Sequence, residues 1–257
     1  MGYLNTIIQR YEPRDSSVYV FSLPKLKGEL ISWASNCYED LLISGSIAKG
    51  TAISLSSDID YLISLKSNCN ESNDGLRGIY ISLFNYLKQI YPNIRVQNVS
   101  FRINLGGLEV DVTPGRKHPG NTNDHSIYIS KRRTWTKTNI RQHIYDISNS
   151  GRQNEIKLLK IWREIYNLDF PSIYLEYLVV DNILSGKSKE ADKLGSNFHT
   201  ILLELAKDIG NPLFDLVEDP SNSTNIFSNL LNSTEKKTII QKAKESVKKE
   251  YWKDIIY

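Results

Sequence analysis

Gly45-Ser46-Ile47-Ala48-Lys49-Gly50-Thr51, followed by Ser57-Asp58-Ile59-Asp60, is the stretch whose residue types and spacing could do chemistry. A glycine at a strand end lets backbone amides approach a ligand closely. Ser46 adds a hydroxyl, and a helix beginning there aims unsatisfied N–H groups and a positive dipole end at an anion. Lys49 adds a cation one turn later, and the whole arrangement suits a phosphate. Asp58 and Asp60 stand two apart on an expected strand, so their carboxylates point the same way. Parallel carboxylates repel unless a cation sits between them, and hard divalent ions such as Mg²⁺ take oxygen ligands while keeping phosphates as co-ligands. Asp111 lies on a second expected strand, on the polar face that also carries Glu109. If the two strands are neighbours, three carboxylates converge beside the phosphate loop. That is the equipment for two-metal phosphoryl or nucleotidyl transfer, with Asp58, Asp60 and Asp111 as catalytic and metal-holding residues. A Gly-Ser turn or an Asp-x-Asp pair alone would carry nothing; their succession does.

The elements that must position these groups follow from apolar periodicity. Residues 27–38 read as a helix, and Leu41-Leu42-Ile43 as a short strand ending at Ser44-Gly45-Ser46. Ile59, Tyr61, Ile63 and Leu65 mark a strand, and 75–91 has the spacing of a helix. Residues 94–104 read as one irregular strand, Gly106-Gly107 as a turn, and Leu108, Val110 and Val112 as the apolar face of the next strand. Residues 115–125 read as a loop and 126–135 as a short hairpin. From about residue 137 the pattern is helical, with candidates at 139–148, 152–167, 172–184, 190–209 and 233–253, interrupted around Leu216–Pro220. The expected fold is α+β: a catalytic lobe over 1–136, then a helical lobe over 137–257, packed as one bilobal unit with the active-site cleft between them.

The same residues carry a resemblance. Gly45-Ser46, Lys49-Gly50-Thr51 and Ser57-Asp58-Ile59-Asp60 resemble the signature of the DNA polymerase β-like nucleotidyltransferases. The Lys-Gly-Thr variant is similar to the oligoadenylate synthetase and cyclic GMP-AMP synthase branch, including the bacterial CD-NTases of anti-phage systems, with archaeal CCA-adding enzymes as cousins. Val110-Asp111-Val112-Thr113-Pro114 resembles the family's third-carboxylate strand. Leu158-Leu159-Lys160-Ile161-Trp162 resembles the helix whose lysine reaches the triphosphate, and Ser172-Ile173-Tyr174-Leu175-Glu176 the next helix, whose early serine faces the phosphates. Val217-Glu218-Asp219-Pro220 with Asn225 resembles a late segment before the last helix, although Ser223 stands where a proline is common.

The resemblance implies a polymerase β-like palm, with mixed sheet and helices, ahead of the helical lobe. It implies two Mg²⁺ or Mn²⁺ ions per site and nucleoside triphosphates, ATP among them, as substrates. Gly45, Ser46, Lys49, Lys160 and Ser172 would bind the nucleotide. Tyr174 would stack on a base or belong to the core, and Lys160 has the alternative of a solvated helix face. The implied product is a cyclic or short linear oligonucleotide second messenger in anti-phage defence. An RNA or tRNA 3′-end nucleotidyltransferase, CCA-adding-like, and a nucleotidylating toxin are the alternatives. Archaeal-type CCA enzymes carry further tRNA-binding domains after the helical lobe, and the length here is expected to leave little room for one.

Composition narrows the classes further. The 257 residues hold 32 Lys and Arg against 29 Asp and Glu, a net charge of +3, with 40% hydrophobic residues. That excludes a disordered acidic chain and a histone-like polycation. No apolar run reaches the roughly 20 residues of a membrane span, and no secretion signal is expected, so the location implied is cytoplasmic. Cys37 and Cys69 are too few for a disulfide scaffold and point to a reducing compartment. Lying far apart, with His118, His125, His143 and His199 at no ligand spacing, they predict no zinc site. Lys131, Arg132, Arg133, Lys137 and Arg141 surround Trp135 with no acidic residue among them, a candidate surface for nucleic acid or an oligonucleotide product. The lysine-rich C-terminal helix reads as an ordinary amphipathic one.

Overall fold

The computed structural model describes residues 2–13, 22–56, 58–69 and 74–257. Ser57 of the motif lies outside them. By its contacts the chain divides into two units: residues 15–48 with 58–144, and residues 1–14 with 49–57 and 145–257.

The first unit is built on one mixed sheet of seven described strands. After helix α2 (Ser22–Ala34), strand β1 (Tyr38–Ser44) runs antiparallel to β2 (Ile59–Leu65). The short helix α3 (Gly45–Lys49) follows β1 directly. Strand β2 pairs in parallel with β5 (Leu108–Lys117), which takes β4 (Phe101–Leu105) and then β3 (Arg95–Val96) on its other side. The far end of β5 pairs with β6 (His125–Ile129), and β6 with β7 (Thr134–Thr138). The expected irregular strand over 94–104 is thus two strands broken at 97–100. Strand β5 runs on through Pro114 and Gly115, where a loop is expected, because β2 pairs with it out to Arg116. Gly115 leaves room there for Leu62: a Cβ would stand 2.9 Å from Leu62 Cδ1, so that side chain would have to shift.

Period-two alternation explains the core of this unit. Ile59, Tyr61, Ile63 and Leu65 of β2, Phe101 and Ile103 of β4, and Val110 and Val112 of β5 face one side. Helix α4 (Gly75–Ile90) covers it with Ile79, Tyr80, Leu83 and Leu87, spaced three and four apart. Leu83 and Leu87 are fully buried. Truncating either to Ala costs about 2–5 kcal/mol, from lost transfer energy and the cavity left. Helix α2 ends at Ala34, four residues short of expectation, and a 3₁₀ turn over Ser35–Cys37 leads into β1. Cys37 and Cys69, 32 residues apart in sequence, form a disulfide. This corrects the reading of two isolated thiols, and cysteine usage no longer argues for a reducing compartment.

The second unit is helical. Helix α1 (Tyr3–Arg10) buries Leu4, Ile7 and Ile8, and packs on α6 (Gln153–Ile165), so residues 1–14 belong with this unit. The expected division at residue 136 therefore differs from the observed one. Ile156, Leu158, Leu159, Ile161 and Trp162 of α6 are wholly buried, an apolar face wide enough to be packed from more than one side. Helix α5 (Ile140–Ser148) precedes it. Helix α7 (Ser172–Tyr177) continues into a wider π-type turn over Leu178–Ile183, and α8 (Leu194–Leu205) follows. A two-stranded ribbon, β8 (Glu218–Asp219) and β9 (Asn222–Ile226), forms where only an interruption is expected. The last helix, α9 (Ser233–Ser246), starts on a capping box between Asn232 and Glu235 and turns Ile239 and Ala243 inward. No described helix is long and apolar enough to cross a membrane.

Candidate functional site

The strands on which Asp58, Asp60 and Asp111 sit or abut are direct neighbours. Asp60 is the register partner of Asp111 across the parallel β2–β5 pair, and Arg102 of β4 is the partner of Asp111 on its other side. Paired positions on neighbouring strands point to one face, so Asp60, Asp111 and Arg102 share it. Glu109, two residues before Asp111, joins them. Asp58 lies just before β2.

Arg102 is the residue that sequence reasoning missed. Its Nε and Nη2 donate to the two carboxylate oxygens of Asp111, both at 2.8 Å, its Nη2 to Asp58 at 2.5 Å, and its Nη1 to Glu109 at 2.8 Å. Arg95 also pairs with Glu109. Burial raises the Asp58 pKa above its ordinary value; Arg102 opposes the rise, and the charges of Asp111 and Glu109 add to it. The hydrogen bond to Asp111 and the surrounding carboxylates hold the Arg102 pKa above its ordinary value against desolvation. A cation is what this cluster demands, and Arg102 supplies one. The alternation of Phe101, Ile103 and Leu105 marks Arg102 as facing the other way, but only the β4–β5 register brings it to Asp111.

Gly45 closes the site from α3. Its φ is +66°, a left-handed backbone that favours glycine, and any Cβ there would overlap the Asp60 carboxylate. Glycine is thus required twice, by backbone and by contact. Ser46 is the next residue of α3 and is half-buried.

The donor set of Asp58, Asp60 and Asp111 consists of hard oxygens on one sheet face, which fits a divalent cation of the Mg²⁺ type, and the guanidinium between Asp58 and Asp111 is an internal stand-in for that charge. Among the described residues no three ligating side chains are already gathered into a cage. Asp58 and Asp111 are turned onto Arg102.

The helical unit places the remaining candidates, three of them in buried surroundings. Lys49 donates to Glu176 Oε2 at 2.7 Å and is only 7% exposed. Lys160 donates to Glu176 Oε1 at 2.6 Å and to Thr51 Oγ1 at 2.9 Å, and is 1% exposed. Thr51 donates in turn to Glu176 Oε1 at 2.8 Å. Two ammoniums and a hydroxyl thus satisfy one carboxylate that is wholly buried, in keeping with the rule that buried charges are paired. Burial alone would push the Glu176 pKa up, but Lys49 and Lys160 together outweigh it and hold the carboxyl down to about 2. Glu176 was legible as a lone acid in the apolar run Ile173–Leu178, although its partners were not. Tyr174, for which stacking on a base and a place in the core are both expected, is the third. It is fully buried, donates to the Leu213 carbonyl at 3.0 Å and meets Phe170 edge-on, so it is core and offers no face to a base.

Ser172 begins α7 and accepts from Arg163 Nη1 at 2.9 Å, keeping its own proton to donate. Arg163, a second residue the sequence did not single out, also holds the Phe170 carbonyl at 2.8 Å. Asn225 donates to Asp219 at 3.0 Å within the β8–β9 ribbon.

No protein-family model matches the chain. A curated relative, the cyclic AMP-AMP-AMP synthase of Escherichia coli (strain MS 115-1), is 25% identical over 175 residues, covering 63% of this chain and 54% of the relative. The chain thus spans about half the length of that relative. The CdnC structure from E. coli MS115-1 with ATP superposes at a TM-score of 0.70, with 19% identity, over 95% of this chain and 89% of that one. The Bradyrhizobium diazoefficiens CD-NTase CdnG in complex with GTP gives 0.70 at 12% identity, over 96% and 92%. The Elizabethkingia meningoseptica cyclic dinucleotide synthase CdnE gives 0.67 at 11%, over 94% and 97%. The fold is that of the CD-NTases, a polymerase β-like nucleotidyltransferase fold.

Proposed function

We propose that the chain is a nucleotidyltransferase that joins nucleoside triphosphates, ATP among them, into a cyclic or short linear oligonucleotide. One observation carries the reading. Asp60 and Asp111 are register partners on parallel strands, with Asp58 beside them and a glycine turn closed on Asp60, the arrangement that phosphoryl transfer between nucleotides needs. Its support from relatives is the match to a cyclic AMP-AMP-AMP synthase and to structures that hold ATP or GTP.

Asp58, Asp60 and Asp111 would hold Mg²⁺ or Mn²⁺, two ions per site. When bound, the metal offsets triphosphate charge and lowers the pKa of an acceptor hydroxyl. The chain's own residues do the rest. The Gly45-Ser46 turn binds a phosphate through backbone N–H groups and the Ser46 hydroxyl. Asp111 accepts the proton of the attacking ribose hydroxyl, and pyrophosphate leaves. Ser172 donates its hydroxyl to a phosphate oxygen. Lys49 and Lys160 have no phosphate role in this reading, since Glu176 holds both. The proposal extends to a second-messenger role in anti-phage defence in the cytoplasm, as the family resemblance implies.

The test is incubation with all four labelled NTPs and Mg²⁺ or Mn²⁺, with and without tRNA, followed by mass spectrometry. A small acid-soluble oligonucleotide is expected without tRNA, and Asp58→Ala, Asp60→Ala and Asp111→Ala each abolish it with circular dichroism unchanged. Retained synthesis in all three variants refutes the site. Label found only on tRNA refutes the product and moves the reading to end-modification.

A further inference from the structure

The strongest unexplained feature lies on the sheet face opposite the carboxylates. Arg116 is five residues beyond Asp111 on β5, and β2 pairs with β5 without irregularity over that span, so the two side chains point to opposite faces. On that reverse face Arg116 is the register partner of Ser126, and Tyr128, two residues on, is the partner of Trp135. These residues, with Arg133 and Arg77, line a pocket of about 440 Å³. That volume lies in the range of small-ligand sites.

Its chemistry is unusual for a protein surface. Trp135 is 57% exposed, and its cross-strand partner Tyr128 is anchored against Tyr80. Arg116 and Arg133 meet no carboxylate within ion-pair reach among the described residues. The other charged groups at the rim, Arg77 and Asp74, pair with each other. Ser126 is occupied by His118, at 2.8 Å. Arg133 also has a φ of +51° in the β6–β7 turn, where glycine or asparagine would be less strained. That strained position puts an arginine beside an exposed tryptophan and a second arginine that has no carboxylate in reach among the described residues, which singles this pocket out.

We infer that this pocket binds a nucleotide, with the base stacked on Trp135 and the phosphate held by Arg116 and Arg133. Aromatic faces accept any base, and guanidinium pairs hold phosphate in a fixed fork. A mononucleotide or short oligonucleotide fits better than a long strand. Of the basic cluster around Trp135, Lys137 and Arg141 are already turned to Asp124 and Asp40, at 3.5 and 3.1 Å, so no continuous row of free cations tracks a backbone. The inference stands on the pocket alone and does not depend on catalysis by the carboxylates.

Equilibrium dialysis of radiolabelled ATP, GTP, CTP and UTP in EDTA, against the full chain, tests it. Without divalent metal the only cation at the carboxylate cluster among the described residues is Arg102, which is already paired with Asp58, Glu109 and Asp111, so a triphosphate there meets uncompensated carboxylates. At least one of the four nucleotides is expected to bind at one equivalent. Arg116→Ala with Arg133→Ala weakens it by roughly 10-fold or more, the loss expected for charged hydrogen bonds. Trp135→Ala weakens it by roughly 5-fold or more through lost stacking, and Trp135→Phe restores most of the binding. Asp58→Ala leaves it unchanged. No nucleotide bound by the wild type, or wild-type binding by the double arginine variant, overturns the inference. So does binding of a single-stranded RNA probe with none of the free nucleotides, which would make the face a nucleic-acid surface instead.

Discussion

Glu176→Gln tests the buried cluster most sharply, because it removes one charge and almost no volume. In the wild type the Glu176 carboxylate receives Lys49 at 2.7 Å, Lys160 at 2.6 Å and Thr51 at 2.8 Å, with no exposure of its own. The variant leaves two buried ammoniums facing a neutral amide. Breaking a buried pair by deleting one partner costs about 3–5 kcal/mol. Linkage gives the same order from a different quantity. The carboxyl sits at about 2 in the fold, against about 4.3 in an unfolded chain, a gap worth about 3 kcal/mol. Because the folded value is the lower one, this stability is complete above the unfolded value and is lost as pH falls from about 4.3 toward 2. Equilibrium urea unfolding, followed by tryptophan fluorescence, should show the variant about 3–5 kcal/mol less stable at pH 7, or about 6–20 °C lower in melting temperature. Between pH 5 and 3 the wild type should lose stability that the variant no longer has to lose. Burial already lowers the Lys160 pKa, with Glu176 resisting. Without Glu176 an ammonium sheds its proton more readily, so the deficit should narrow as pH rises from 7 to 9. A variant within about 1 kcal/mol of the wild type, with the same acid limb, would refute the charged-network argument.

Three further outcomes are expected. Gly45→Ala forces a left-handed alanine and drives its Cβ into the Asp60 carboxylate, so incorporation should fall by about 100-fold or more while the fold persists; unchanged rates would show that Asp60 has room to move. Arg102→Ala removes the cation between Asp58 and Asp111, so the melting temperature in EDTA should drop and Mg²⁺ should raise it by more than in the wild type, a difference that thermal shift reads directly. Tyr174→Phe strands the Leu213 carbonyl and should cost about 1–3 kcal/mol by chemical unfolding with KM for NTP unchanged, whereas a raised KM would return Tyr174 to the nucleotide.

The sequence alone determined what depends on neighbours along the chain. Asp58 and Asp60 face one way because the strand period is two, and Gly45 ends a strand because the following residues turn into a helix. Helix α4 was legible for the same kind of reason, a 3.6-residue stripe along the sixteen residues from Gly75 to Ile90. The tertiary structure decided every contact made across the chain. Whether Asp111 stands beside Asp60 is a matter of strand order and register, and a one-residue slip would turn it to the other face. Arg102 becomes the cation of the cluster only through the β4–β5 register. Lys49 and Lys160 look alike in sequence to any phosphate-binding lysine, and what pairs both of them in the fold is Glu176, 127 residues beyond the one and 16 beyond the other. A charge advertises its chemistry locally, but its partner is chosen by packing, because the cost of burying it is settled only where the chain closes around it.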